Sequence, residues 1–192
     1  NTGSEVITSK NGLLSTIAWH IDGKTTYALE GSVFVAGAAV QWLRDSMKFF
    51  KTSAMSYDLA LNAKHQEEIF LVPAFTGLGA PYWDNEVRGA IFGITKDTSK
   101  EDITSATLDA IAYQVKDVIT LMEKEAKIQL HNLKVDGGAC ENDYLMQFQS
   151  NILPATIYRP KIIESTALGV AYMAGLASGY FKSIEEITKL HQ

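Results

Sequence analysis

The sequence predicts an α/β fold, a mixed sheet with helices on both faces, formed as a single domain over residues 1–192. Three observations carry this. Two β-rich runs near the start flank Asp22-Gly23, a strong tight-hairpin dipeptide. Farther on, short runs rich in β-branched and aromatic residues alternate with stretches whose apolar residues recur at helical spacing. The strand "KVDGG" then ends in Gly137-Gly138, at the strand end where ligand sites of such sheets tend to lie.

The elements follow in order. "GLLSTIAWHIDGKTTYALEG" reads as two strands about the Asp22-Gly23 turn. A helix from near Ser32 places Val33, Ala36, Val40, Leu43 and Met47 on one stripe, with Arg44, Asp45 and Lys48 facing away. "SYDLALNAK" is a short helix, "EIFLVPAF" a buried strand, "TGLGAPYWDN" a loop and "RGAIFGI" another strand. A long helix begins near Thr98, where Glu101 completes a capping box; its stripe runs through Ile103, Ala106, Ala110, Ile111, Val118, Leu121 and Met122. "NLKVDGG" is a strand, 142–152 a helix, and "ATIYRP" a strand that stops at Pro160. "STALGVAYMAGLASG" is a helix whose Gly169, Ala171, Ala174 and Gly175 point to close core packing. "SIEEITKLH" is a last helix, capped by Ser183 with Glu186.

Composition excludes several classes. The chain is 46% hydrophobic and 20% charged, with a net charge of −5, so a basic nucleic-acid surface is not expected. No segment approaches the roughly 18 apolar residues of a membrane span. The lone Cys140 rules out an intramolecular disulfide and fits a reducing cytoplasm. The opening "NTGSEVITSK" has neither an initiator methionine nor a signal-peptide core, and it reads as the start of a piece of something longer.

Two glycine-plus-amide pairs are the candidate site. Gly37 is followed four residues on by Gln41, and Gly138 four residues on by Asn142. A glycine within a helix costs ~1 kcal/mol relative to alanine, so it needs a packing or a ligand reason. Close helix–strand contact is one reading. The other is approach of phosphate, ribose or base to free N–H groups at a helix start. Cys140, beside such a start, reads as a buried small hydrophobe rather than a thiolate. His20, His65, His131 and His191 lack metal-ligand spacing, so no metal residues are expected. Asp84, Glu86, Asp97 and Asp102 read as solvated carboxylates, and Trp83 as a packed anchor. No phosphate loop of the G-x-x-x-x-G-K-[ST] type and no G-x-S-x-G is present, and no catalytic residue emerges.

A resemblance carries the reading further. "YALEGSVFVAGAAVQWLRD", "VPAFTGLGAPYWDNEVRGAIFGIT", "ATLDAIAYQ", "KVDGGACENDYLMQFQSNIL" and "ESTALGVAYMAGLASGY" closely resemble, in order, the carboxyl-terminal lobe of FGGY carbohydrate kinases. "TGLGAPYWD" and "DGGACEN" resemble the glycerol-directed members in particular. The resemblance implies a lobe of the actin/hexokinase-like (ribonuclease H-like) ATPase fold. It implies nucleotide contacts from Gly138 and Asn142 in the adenosine motif, and from Gly37 and Gln41 in "AGAAVQ".

The resemblance implies a parent that transfers the γ-phosphoryl of MgATP to a terminal hydroxyl of glycerol. By resemblance, the catalytic aspartate, the glycerol-binding residues and the first phosphate loop fall upstream of Asn1, and a further tail lies beyond Gln192. ATP or ADP is then the implied ligand, with Mg²⁺ held mainly through its phosphates and the other lobe. The implied partners are glycerol, that amino-terminal lobe and further copies in a homo-oligomer. Two alternatives stay open: another FGGY sugar kinase, or a non-catalytic actin-like interaction domain with helix 165–177 as its partner surface.

Overall fold

The computed structural model describes residues 1–65 and 68–190. Strands β1 (Leu14–Ile21) and β2 (Lys24–Glu30) pair antiparallel, with an irregularity between Ile17 and Trp19. Asp22 and Gly23 both take positive φ, 50° and 74°, which a two-residue hairpin turn requires. Helices α1 (Gly37–Asp45) and α2 (Met55–Leu61) follow, then β3 (Phe70–Val72) and β4 (Ala90–Phe92), an antiparallel pair. Helix α3 spans Lys100–Ala126. Strand β5 (Asn132–Lys134), a 3₁₀ turn (Gly138–Glu141), helix α4 (Asp143–Ile152) and strand β6 (Thr156–Tyr158) form a parallel β-α-β unit. Helices α5 (Ser165–Ala177) and α6 (Ile184–Leu190) end the described chain.

The α/β class holds, but the strands form three two-stranded ladders among the described residues rather than one hydrogen-bonded sheet. Four of the six strands have only three residues, so each supplies few ladder bonds. Helices supply the continuity instead. Residues 104–112 of α3 are buried on every side, beyond the single stripe expected. Val40, Leu43, Phe50, Ala60 and Leu145 pack against Leu108, Ile111 and Ala112, while Ile69 and Leu71 pack against Ala106 and Ala110. Farther along, Val118 meets Leu13 and Ala80.

Helix α1 starts at Gly37, not near Ser32. The Ser32 carbonyl accepts from Ala80 N–H, and the Val35 carbonyl from Gln114 Nε2, so neither is spent on a helix turn. Gly37 is accordingly the first residue of the helix, and Met47, past its end, is exposed.

Helix α3 begins one residue later than the sequence suggests. Ser99 is its N-cap, and the capping box uses Asp102 rather than Glu101. Thr98 Oγ1 is taken by Thr95 N–H. Asp102 is not a solvated carboxylate: it is 1% exposed. It accepts from Ser99 N–H, Ser99 Oγ, Lys64 N–H and His65 N–H. Burial pushes its pKa up, but the bonds from Ser99, His65 and Lys64 outweigh that and hold it at about 2.

Helix α5 overturns a packing expectation: none of its residues is buried, and Val170 and Met173 are exposed. Of its small residues, Gly175 meets only the Phe181 ring, and Gly169 faces open space. Helix α6 is capped as expected, with Glu186 N–H donating to Ser183 Oγ. His191, at the end of that predicted helix, lies outside the described residues.

Asp102 gives a pH-dependent test. Its folded pKa lies below the unfolded value of 3.8, so its stabilisation is present above about pH 4 and lost as pH falls through 2. Asp102→Asn should cost about 2 kcal/mol at pH 7, and the gap between variant and parent should narrow by pH 3. Urea unfolding at both pH values measures this; a gap that ignores pH would assign the loss to packing alone.

Candidate functional site

The first turns of α1, α2 and α4 converge beside the 3₁₀ turn and enclose a cavity of about 600 Å³. Gly37, Gln41, Gly138 and Asn142, the four residues singled out in the sequence, all line it. Val40, Leu108 and Leu145 give it an apolar floor, with Ser53, Ser56 and Tyr57 at the α2 side. Its size and its apolar lining with a few polar groups are typical of small-molecule sites.

The two lining glycines have neither a packing reason nor a backbone reason. A Cβ on Gly37 or Gly138 would meet no atom within 4 Å, and neither has positive φ. Close helix–strand contact therefore does not explain them. Gly79 shows the contrast: its Cβ would strike the Ser32 carbonyl oxygen at 2.0 Å. Gly137 is different again. At φ 77° and ψ 168° it occupies a region open essentially to glycine alone, and this conformation turns the chain from β5 into the 3₁₀ turn.

Neither α1 nor the 3₁₀ turn has a side-chain cap, so their first N–H groups are open to a ligand, with the positive end of the α1 dipole behind them. The charged residues that line the cavity are Glu141 and Asp143, with no basic side chain among them. Arg159 offsets Asp143 at 2.7 Å and donates to the Cys140 carbonyl at 2.8 Å, which braces the turn from β6. Attraction for an anion comes from the main chain alone, whereas the apolar floor suits a flat ring.

The two amides differ. Gln41 lies one turn after Gly37 on α1, and its side-chain amide makes no hydrogen bond among the described residues. Asn142 is not on one helix with Gly138: it is the N-cap of α4, after a separate 3₁₀ turn. Its Oδ1 accepts from Leu145 N–H at 3.1 Å, and its Nδ2 donates to Ser56 Oγ at 3.0 Å, linking α4 to α2. Ser56 Oγ in turn donates to the Ser53 carbonyl. The sequence analysis missed Ser53, Ser56, Tyr57 and Glu141; the polar "TSAMSY" run ahead of an apolar helix was the available signal.

Cys140 is 2% exposed. Burial raises its thiol pKa more than nearby Arg159 lowers it, so it is no nucleophile. Trp83 is an anchor, its indole N–H donating to the Gly12 carbonyl and its ring edge-on to Phe34. Among the described residues, no group of three or more His, Cys, Asp or Glu is placed to hold a metal ion, and no helix is long and apolar enough to cross a membrane.

Known proteins resemble this chain over nearly its whole length. Residues 2–178 match the model of the C-terminal domain of the FGGY family of carbohydrate kinases. The chain is 57% identical over 189 residues to a glycerol kinase of Desulforamulus reducens, covering 98% of this chain and 38% of that protein. It is 56% identical over 187 residues to a glycerol kinase of Bacillus anthracis, again spanning 38% of the relative's length. The structure of Plasmodium falciparum glycerol kinase with ADP superposes with a TM-score of 0.88 at 35% identity, over 99% of this chain and 38% of that one.

The glycines can be sorted by stability alone. Gly138→Ala should unfold within ~1 kcal/mol of the parent, and Gly37→Ala should gain up to ~1 kcal/mol from helix propensity. Gly137→Ala should lose ~1–3 kcal/mol to backbone strain. Thermal denaturation of the three variants decides it; an equal loss at all three would mean that Gly37 and Gly138 are structural after all.

Proposed function

We propose, since this chain belongs to the FGGY family of carbohydrate kinases as a C-terminal domain, that it is the nucleotide-binding lobe of a glycerol kinase. One observation carries the site: the two glycines with open Cβ directions and the unengaged amide of Gln41 border the same cavity. A nucleoside fits the apolar floor between Val40, Leu108 and Leu145, with its phosphates towards the N–H groups of α1 and the 3₁₀ turn. Gln41 is the amide free to bond it directly. Asn142 holds α2 and α4 at the right separation and keeps one amide hydrogen for the ligand.

The chemistry supplied with the bound nucleotide is an activated γ-phosphoryl group whose charge Mg²⁺ offsets. The residues of this chain bind and orient the nucleotide and exclude water from one side of it. The aspartate that accepts the glycerol proton, the glycerol contacts and the remaining Mg²⁺ contacts belong to another lobe of a longer protein. The chain's 38% share of its relatives supports this division, as does the exposed apolar α5, a surface suited to docking. The parent works in the cytoplasm, where a single buried thiol is at home, and as a homo-oligomer.

ADP titration followed by amide chemical shifts should move Gly37, Gly138 and Asn142 together, with a dissociation constant of roughly millimolar order because one wall of the cleft acts alone. Gly138→Val should abolish these shifts while the fold persists. The chain alone should give no glycerol-dependent ADP release. Shifts confined to a distant surface would sink the site, and turnover that tracks the purified chain would sink the division between lobes.

A further inference from the structure

Beside the first cavity, and sharing only Tyr57 and Asp143 with it, lies a second, of about 710 Å³. Its features are unlike those of the first. Phe70, Tyr113, Tyr144 and Phe148 line it, and Asp109 sits among them at 6% exposure. The rings form a partial cage. Tyr113 stands edge-on to Phe148 with centroids 5.4 Å apart, and Tyr144 lies parallel to Phe148 at 6.5 Å. Tyr113, Phe70 and Tyr57 are exposed at the rim.

Asp109 has one partner, the Tyr144 hydroxyl, which donates to Oδ1 at 3.0 Å and also shares a hydrogen bond with Ser105 Oγ. Oδ2 has no partner among the described residues, yet it is not sealed: Glu125 Oε2 is the only buried, unpaired side-chain oxygen or nitrogen there. Oδ2 is therefore left to face the cavity. No Lys, Arg or His lines the space, and the other carboxylate, Asp143, is already paired with Arg159. A carboxylate removed from water without a cation is costly, and aromatic faces present negative charge to whatever sits between them.

We propose that this second cavity binds an organic ammonium cation, with Asp109 as its counter-ion and the rings of Tyr113, Tyr144 and Phe148 as its walls. An alkylated ammonium satisfies both halves of the site: its charge pairs with Oδ2 and its alkyl groups cover the rings. A bare divalent metal is poorly served, since it takes several hard oxygen ligands and, among the described residues, no group of three or more His, Cys, Asp or Glu is placed to hold one. Burial pushes the pKa of Asp109 up to about 6 against the opposing Tyr144 bond, and its charge in turn helps to raise Tyr113, after burial. This site does not rest on the nucleotide reading and is tested without nucleotide.

Tetramethylammonium chloride titrated into the chain at pH 7.5, with the ring protons followed by NMR, is the probe. tert-Butanol serves as a neutral analogue of similar shape, and sodium chloride as the ionic-strength control. Saturable shifts are expected at Tyr113, Tyr144 and Phe148 with tetramethylammonium only. Affinity should fall about tenfold at pH 5, where a group titrating near 6 is about nine-tenths protonated. Asp109→Asn should abolish saturation. Should that variant not fold, Tyr113→Leu, at an exposed position outside the buried network, should weaken binding several-fold. Equal response to tert-butanol, absence of saturation, or affinity indifferent to pH and to whichever variant folds would overturn the proposal.

Discussion

The burial of residues 104–112 of α3 on all sides is the constraint from which the rest of the structure follows. A helix can be enclosed in this way only if its side chains are short enough for several partners to approach. Thr104, Ser105, Ala106, Thr107, Ala110 and Ala112 meet that demand. The hydroxyls bring polar atoms into the core, and each is satisfied there, two within α3 and one from α4. Thr104 donates to the Lys100 carbonyl and Thr107 to the Ile103 carbonyl, while Ser105 bonds Tyr144. With α3 as a central axle, α1, α2, α4 and β3 take places around it, and the two cavities are the gaps left between those neighbours.

Element existence was legible in the sequence because periodicity and turn chemistry report local preference. Asp22-Gly23 encodes its own backbone, and the β5-α4-β6 unit could be read from "LKVDGG" and the helical run after Asn142. Element limits were not, because partners distant in sequence decide them. The start of α1 is set by the loop around Ala80 and by Gln114, and the phase of α3 by residues 64 and 65. Asp102 carries the same lesson. Nothing in "SKEDIT" distinguishes a solvated carboxylate from one that pins a distant turn.

The site was half legible, for a related reason. Glycines announce that a side chain is unwelcome but not why. Gly137, Gly138 and Gly79 look alike in sequence, yet one needs its dihedrals, one faces open space and one abuts a carbonyl. The four-residue spacing found Gly37 and Gln41 because both lie on α1. It found Asn142 by coincidence, since a change of helix type intervenes and the asparagine is there as a cap. Ser53 precedes α2, and Ser56 and Tyr57 lie in its first turn, where position relative to α4 is a tertiary fact that the local run reports only weakly. The exposure of α5 is likewise invisible in composition, because an apolar helix reads the same whether its cover comes from this chain or from elsewhere.

The attraction the cavity can offer an anion comes from peptide groups at helix starts rather than from basic side chains, and this has a consequence for inheritance. Point mutations replace side chains and leave N–H groups in place, so the pull on an anion survives almost any substitution that keeps α1 and the 3₁₀ turn folded. What drift can readily alter is the lining contributed from α2, at Ala54 and Tyr57, and the exposed Glu141. On the proposed nucleotide reading, the first cavity would be robust in what it attracts and adjustable in what it prefers. Lineages could then retune selectivity there without first losing the capacity to bind.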